Sequence, residues 1–189
     1  MSQQVWLVRH GETEWSRDGR HTGRTDLPLT SAGEERAHAL GDLLSLHAFA
    51  LVLSSPLQRA RRTAELATLT PALSDDLREW DYGDYEGRTT ADIRADRPDW
   101  SLWADGCPNG ETAHDVADRA DRVIATLRAA EGDVAVFAHG HLLRVLGARW
   151  IGLSPAEGRL LALSTAGICV LGYERETAVL EQWNYAPMR

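Results

Sequence analysis

Three short apolar runs decide what this chain can fold into: Val5-Trp6-Leu7-Val8, Leu51-Val52-Leu53-Ser54 and Val134-Ala135-Val136-Phe137-Ala138. Runs of four or five largely apolar residues bounded by polar loops read as strands buried on both faces. Helical patterns lie between them. Ser31-Ala32-Gly33-Glu34 has the Ser-x-x-Glu spacing of a capping box and opens a helix through Leu40, Leu43 and Leu44. Pro56 suits the first turn of a second helix with Ala60, Ala64 and Ala67 on one face. Val116, Ala120, Val123, Ile124 and Leu127 form a third stripe at i, i+4, i+7, i+8 and i+11.

A helix between successive strands makes them pair in parallel and puts helices over both faces of the sheet. Residues 167–173 and 178–183 look like a closing hairpin around Arg175-Glu176-Thr177, which adds an antiparallel edge. The expected fold is α/β, a three-layer sandwich with a mainly parallel sheet, in one domain over 1–189. At 189 residues a single core buries roughly two-thirds of the surface of the unfolded chain. Residues 75–109 are irregular and rich in Trp, Asp and Gly, with a short helix expected over 90–97 and stopped by Pro98. They read as an excursion over the active site.

Composition removes whole classes. With 43% hydrophobic and 25% charged residues the chain matches soluble globular proteins rather than disordered or fibrous ones. No apolar run nears the roughly 20 residues of a membrane span, and the polar start Met1-Ser2-Gln3-Gln4 lacks the features of a signal sequence. A cytoplasmic protein is expected. Cys107 and Cys169 lie far apart without Cys-x-x-Cys spacing, so they read as reduced packing residues. A net charge of -8 speaks against nucleic acid as a partner, and oligomeric state is left open.

In parallel sheets ligands bind beyond the carboxyl ends of the strands. Arg9-His10-Gly11, Ser55-Pro56-Leu57-Gln58-Arg59 and His139-Gly140 emerge there. Each alone is an ordinary surface or core-edge contact. Together they bring two arginines and two histidines to one place, and burying unpaired charge costs several kcal/mol each, roughly. A bound anion resolves the conflict. Phosphoryl transfer needs positive groups on the non-bridging oxygens, an in-line nucleophile and a proton for the leaving group. The scattered acidic residues offer no metal-ligand set, so neither metal nor cofactor is expected. A neutral imidazole can attack phosphorus, and Arg9 and Arg59 would lower the pKa of His10 and help keep it neutral. Glu79 sits next to two aromatics, Trp80 and Tyr82, that could desolvate it and raise its pKa enough to hold a proton; a solvated loop carboxylate fits the sequence equally.

These residues resemble the histidine phosphatase superfamily, also called phosphoglycerate mutase-like, over nearly the whole chain. The resemblance rests on Leu7-Val8-Arg9-His10-Gly11-Glu12-Thr13-Glu14-Trp15, Ser54-Ser55-Pro56-Leu57-Gln58-Arg59-Ala60, Glu79 with Glu86-Gly87, and His139-Gly140, in the family's order and spacing. It implies that His10 is phosphorylated, that Arg9, Arg59 and His139 bind the phosphoryl oxygens, and that Glu79 is the proton donor and later the base. Thr22 and Gly23 match the family's substrate-side loop, and Gly140 would offer a backbone N–H. Ser16 stands where many members have Asn, so that phosphate contact is weakened or made by a shorter hydroxyl. His141, two residues past His139, is close enough to touch substrate or simply packs.

The segments after Glu79, around residues 103–111 and at Phe137-Ala138-His139-Gly140-His141 more resemble a phosphatase branch with sedoheptulose bisphosphatases and an actinobacterial-type acid phosphatase. The expected function is metal-independent hydrolysis of small phosphorylated metabolites, with sugar phosphates among the candidates. A phosphoglycerate mutase, which returns the phosphoryl group to a second hydroxyl, is the alternative. A non-catalytic phospholigand-binding module is the second, and a phosphoprotein phosphatase would need a shallower cleft than the excursion suggests. Trp80, Trp100 and Trp103 are read either as an apolar lid or as a small core of the excursion itself.

Overall fold

A computed structural model describes residues 3–186. In chain order it contains β1 (Val5–Arg9), α1 (Glu14–Arg17), α2 (Ser31–Leu44), β2 (Leu51–Ser54), α3 (Gln58–Leu66), β3 (Ala72–Leu73), α4 (Thr90–Asp96), α5 (Leu102–Asp105), α6 (Ala113–Ala129), β4 (Val134–Ala138), α7 (Gly140–Trp150), β5 (Ile168–Glu174) and β6 (Thr177–Tyr185). The sheet order is β3-β2-β4-β1-β5-β6. The first four of these strands run parallel, and β5 pairs antiparallel with β1 and with β6. The expected sandwich with an antiparallel edge is what forms.

Side chains alternate across a strand, and the core divides accordingly. Val5 and Leu7 join Val134 and Val136 in a cluster under α6 and α7, with the stripe Val116, Ala120, Val123, Ile124 and Leu127. Trp6 and Val8 join Ala135 and Phe137 on the other face with Leu40, Leu44, Ala64 and Ala67 from and beside α2 and α3. Two apolar faces on the same strands explain the unbroken apolar runs.

Local details differ from the sequence reading. The cap of α2 is Thr30, whose hydroxyl accepts the Gly33 N–H, one residue before the expected Ser31. Pro56 precedes the α3 cap Leu57 instead of entering the first turn. The hairpin turn is Arg175-Glu176 alone, because Thr177 already pairs with Glu174. Several short features went unread: α1, β3, α5 and 3-10 turns at Asp75–Leu77, Gly83–Tyr85 and Pro155–Leu160. Each is too short to leave a periodic signal.

The register sets the site. β4 lies between β1 and β2, and the next backbone bonds past the strands run from His10 N–H to Ala138 C=O (3.0 Å) and from Ser55 N–H to Phe137 C=O (3.0 Å). His10, Ser55 and His139 therefore leave three adjacent strands side by side. No helix among the described residues is long and apolar enough to cross a membrane.

Candidate active site

A cleft of about 250 Å3 opens at these strand ends, with Arg9, His10, Ser16, Thr22, Glu79, Gly140 and His141 among its lining residues. His10 is 4% exposed, and its Nδ1 lies 2.7 Å from the Gly11 carbonyl. A carbonyl only accepts, so Nδ1 carries the proton and Nε2 keeps a free lone pair on a ring that lines the cleft. Burial, then the charges of Arg59 and Arg9, hold this imidazole well below its usual pKa. It is a neutral, nucleophilic tautomer.

Arg9 reaches the cleft with its Nη1 on the Leu163 carbonyl, while its buried Nε has no partner among the described residues. An orphaned guanidinium N–H costs about 1–3 kcal/mol unless an acceptor arrives. Burial lowers the pKa of both Arg9 and Arg59, yet arginine starts so far above neutrality that both stay charged. Gly140 begins α7, and its N–H has no partner among the described residues, so the helix start faces the cleft with a donor to spare.

Arg59 and His139 stand one layer behind. Arg59 is fully buried and donates from Nε to His139 Nδ1 (3.2 Å), from Nη1 to the Thr25 carbonyl (2.9 Å) and from Nη2 to the Thr22 and Gly23 carbonyls (3.0 Å each). Since Arg59 can only donate, His139 Nδ1 is unprotonated, and its Nε2–H donates to Ser55 Oγ at 2.8 Å. Its ring lies 5.2 Å from that of His10. Burial, then Arg59, push its pKa well down. Neither is among the residues lining the cleft.

Ser16 and Gly23 are held by their own surroundings. Ser16 lines the cleft, but its hydroxyl accepts the Thr13 N–H (2.9 Å) and donates to the Thr13 carbonyl (3.0 Å), closing the cap of α1 and leaving no proton for an anion. Gly23 does not line this cleft. Its N–H binds the Glu86 carboxylate, and a Cβ there would come within 2.6 Å of the Trp80 carbonyl oxygen, so the glycine serves close loop packing.

Glu79 is 8% exposed, and its surroundings are not the apolar ones the sequence suggested. Oε1 accepts the Trp80 and Leu142 N–H groups (2.9 Å each), and Oε2 accepts only the His141 N–H (3.0 Å). The carboxylate thus sits on the amino end of α7, held by two of that helix's first backbone N–H groups. Oε2 retains the lone pair able to carry a proton. Glu111 and Arg119 hold the segment from behind through a bidentate pair (2.8 and 2.9 Å), with Arg119 also on the Asp76 and Arg78 carbonyls. Trp80 and Trp100 belong to the main core with their indole N–H groups on the Glu111 and Gly106 carbonyls, so these two are not a lid, and the half-buried Trp103 packs against the same core.

The sequence reading missed Arg20, His21, Tyr82 and Arg144 as lining residues. Only Arg144 had a readable signal, its i, i+4 spacing from Gly140 on one helix. Tyr82 Oη lies 2.6 Å from His141 Nδ1. Among the described residues no group of three His, Cys, Asp or Glu is placed to hold a metal ion.

Burial also holds His141 well below its usual pKa, with Arg144 next in effect, and lowers His21 to about 4. With His10 and His139, four imidazoles stay neutral when the unfolded chain protonates below about pH 6.5. The unfolded state then binds more protons, so stability falls as pH drops from about 6.5 towards 4, by up to about 1.4 kcal/mol per pH unit for each histidine. Urea midpoints across that range should fall steadily. A flat profile would mean that these rings protonate in the folded protein as readily as in the unfolded chain.

The chain is similar to known proteins over most of its length. An acid phosphatase of Mycobacterium tuberculosis is 43% identical over 187 residues, 95% of this chain and 92% of that protein. The sedoheptulose 1,7-bisphosphatase of Saccharomyces cerevisiae is 40% identical over 182 residues, 78% of this chain and 67% of that one. A solved structure of a Mycobacterium tuberculosis open reading frame superposes with a TM-score of 0.94 at 42% identity, covering 98% of this chain and 99% of that one. The profile of the histidine phosphatase superfamily (branch 1) matches residues 5–186, and to that family the chain belongs.

Proposed function

We propose that this protein is a phosphomonoester hydrolase that works through a phosphohistidine at His10 and acts on small phosphorylated metabolites, sugar phosphates among them. The observation that carries the reading is the free Nε2 of a neutral His10 beside the unpaired Nε of Arg9 and the unpaired N–H of Gly140. In the first step the Nε2 lone pair attacks phosphorus in line, the ester P–O bond breaks, and Glu79 Oε2 gives its proton to the leaving alkoxide. In the second, Glu79 takes a proton from water as its oxygen bonds to phosphorus and the P–N bond breaks. Arg9 and Gly140 neutralise the phosphoryl oxygens directly; Arg59 adds its charge from behind and keeps His139 oriented.

The cleft volume supports a small substrate over a folded phosphoprotein, since about 250 Å3 lies below the usual range of roughly 300–1,000 Å3 for ligand sites. Its relatives named as acid phosphatase and bisphosphatase favour transfer to water over a mutase reaction. Two buried, unpaired cysteines fit a reducing cytoplasm, and the acidic charge fits a partner other than nucleic acid.

A chromogenic phosphomonoester should be turned over in excess chelator at an undiminished rate, because arginine and backbone donors here do the charge neutralisation that many phosphatases assign to metal ions. The same panel extended to sugar phosphates and both phosphoglycerates separates hydrolase from mutase. Loss of activity to the chelator with rescue by a divalent ion would sink the mechanism.

A further inference from the structure

The buried side chains of α3 are Arg59, Ala60, Thr63, Ala64 and Leu66, so two of them are polar. Arg59 has its role behind the cleft. Thr63 is fully buried and does not line the cleft. A threonine inside a helix can give its hydroxyl proton to the carbonyl four residues back, and Thr63 does so to Arg59 at 2.7 Å. Its oxygen has a second bond. It accepts the Gly11 N–H at 3.0 Å, from 52 residues away in the chain. One hydroxyl therefore ties the residue after the nucleophile to the turn of α3 that carries Arg59.

Gly11 needs such a tie. Its carbonyl accepts the His10 Nδ1–H at 2.7 Å, the bond that leaves the lone pair on Nε2. A glycine is free to turn in φ and ψ, and a larger residue is excluded here, because a Cβ on Gly11 would come within 2.5 Å of the Gly33 carbonyl oxygen. The chain is pinned on either side: the His10 carbonyl accepts the Ala166 N–H (3.1 Å), and the Glu12 carbonyl accepts the Thr30 N–H (2.9 Å). Thr63 holds the point between them. Without its hydroxyl a buried N–H is left unpaired, which drives the backbone to turn towards another acceptor. The Gly11 carbonyl turns with it.

We propose that Thr63 is a positioning residue for the nucleophile: it anchors the Gly11 N–H so that the Gly11 carbonyl stays on His10 Nδ1 and the reactive lone pair stays on Nε2. This rests on the phosphohistidine reading and deepens it. Loss of the anchor lets the neutral ring carry its proton on Nε2 instead, which turns the attacking atom into a donor. Phosphorylation then slows, while the Arg9 and Gly140 donors to the phosphoryl oxygens stay where they are.

Substitutions at one position test it. Thr63→Val keeps the branched shape and removes the hydroxyl, Thr63→Ser keeps the hydroxyl, and Thr63→Cys puts a weakly accepting thiol in its place. In single-turnover rapid-quench experiments with p-nitrophenyl phosphate, Thr63→Val should form phosphorylated His10 about 10- to 100-fold more slowly than the wild type, the scale of a misplaced reacting group. Thr63→Ser should stay within about threefold of the wild-type rate, and the Kd of inorganic phosphate should change by no more than about twofold in either variant. Nitrogen-15 NMR of histidine-labelled protein, with the His10 signals identified by their loss in His10→Ala, reads the tautomer directly. The proton should sit on Nδ1 in the wild type and in Thr63→Ser, and partly on Nε2 in Thr63→Val. A threonine that only packs would leave the tautomer unmoved. A wild-type rate or a wild-type tautomer in Thr63→Val therefore overturns the role of Thr63, while phosphohistidine in the wild type leaves the phosphatase reading standing. Should Thr63→Val fail to fold, Thr63→Cys decides: a slower phosphorylation and a shifted tautomer relative to Thr63→Ser support the anchor, and equality with it overturns the anchor. No phosphohistidine in the wild type overturns both readings.

Discussion

His10→Ala should abolish turnover, with a loss on the order of 10,000-fold or more, the scale seen when a covalent nucleophile is removed and only binding and charge stabilisation are left. No neighbour can take its place. His139 is the nearest imidazole, with its ring 5.2 Å away, but its Nδ1 lone pair receives the Arg59 N–H and its Nε2–H is given to Ser55. Freeing either nitrogen means breaking a fully buried bond. His10→Ala should still fold, because the ring makes one hydrogen bond, to its own neighbour's carbonyl, and the strand beneath it is fixed by pairing with β4 and β5. Circular dichroism and retained phosphate binding check this. Were the variant to keep a tenth of the wild-type rate, covalent catalysis would be the wrong mechanism.

The strands and the three strand-end motifs were legible because a buried parallel strand leaves an unbroken apolar run, and its carboxyl end is fixed by where that run stops. Arg9 and His10 followed from that, Gly140 came with the family resemblance, and the structure puts all three on the cleft. Orientation was not legible. Whether Arg59 faces the cleft or the loop carbonyls depends on where residues 22–25 pass, and Glu86 decides that by binding the Gly23 and Thr25 N–H groups from 61 or more residues away. The same applies to Glu79, whose position in an irregular segment suggested an apolar setting. Its three N–H partners come partly from α7, which only the fold brings beside it. Arg20 and His21 reach the cleft from a loop whose path no periodicity records.

Glu79→Gln separates the two half-reactions, and its effect should depend on the leaving group. The amide oxygen can take the place of Oε1 and accept the Trp80 and Leu142 N–H groups. The amide nitrogen then opposes the His141 N–H where Oε2 had accepted it, at a cost of about 1–3 kcal/mol that a melting curve will register. The variant can neither protonate an alkoxide nor take a proton from water. With a sugar phosphate, whose leaving group is strongly basic, turnover should fall about 100- to 10,000-fold. An activated aryl phosphate needs little help from an acid, so its first step should lose far less, while hydrolysis of the phosphoenzyme stays crippled. Rapid quenching into alkali, which spares the P–N bond, should then trap phosphorylated His10. Glu79 is the only carboxylate lining the cleft among the described residues, since Asp81 pairs with Arg24 and Glu12 accepts from the Thr30 hydroxyl. Equal losses on both substrates, with no phosphoenzyme accumulating, would therefore reduce Glu79 to a brace for the start of α7 and leave both proton transfers to water.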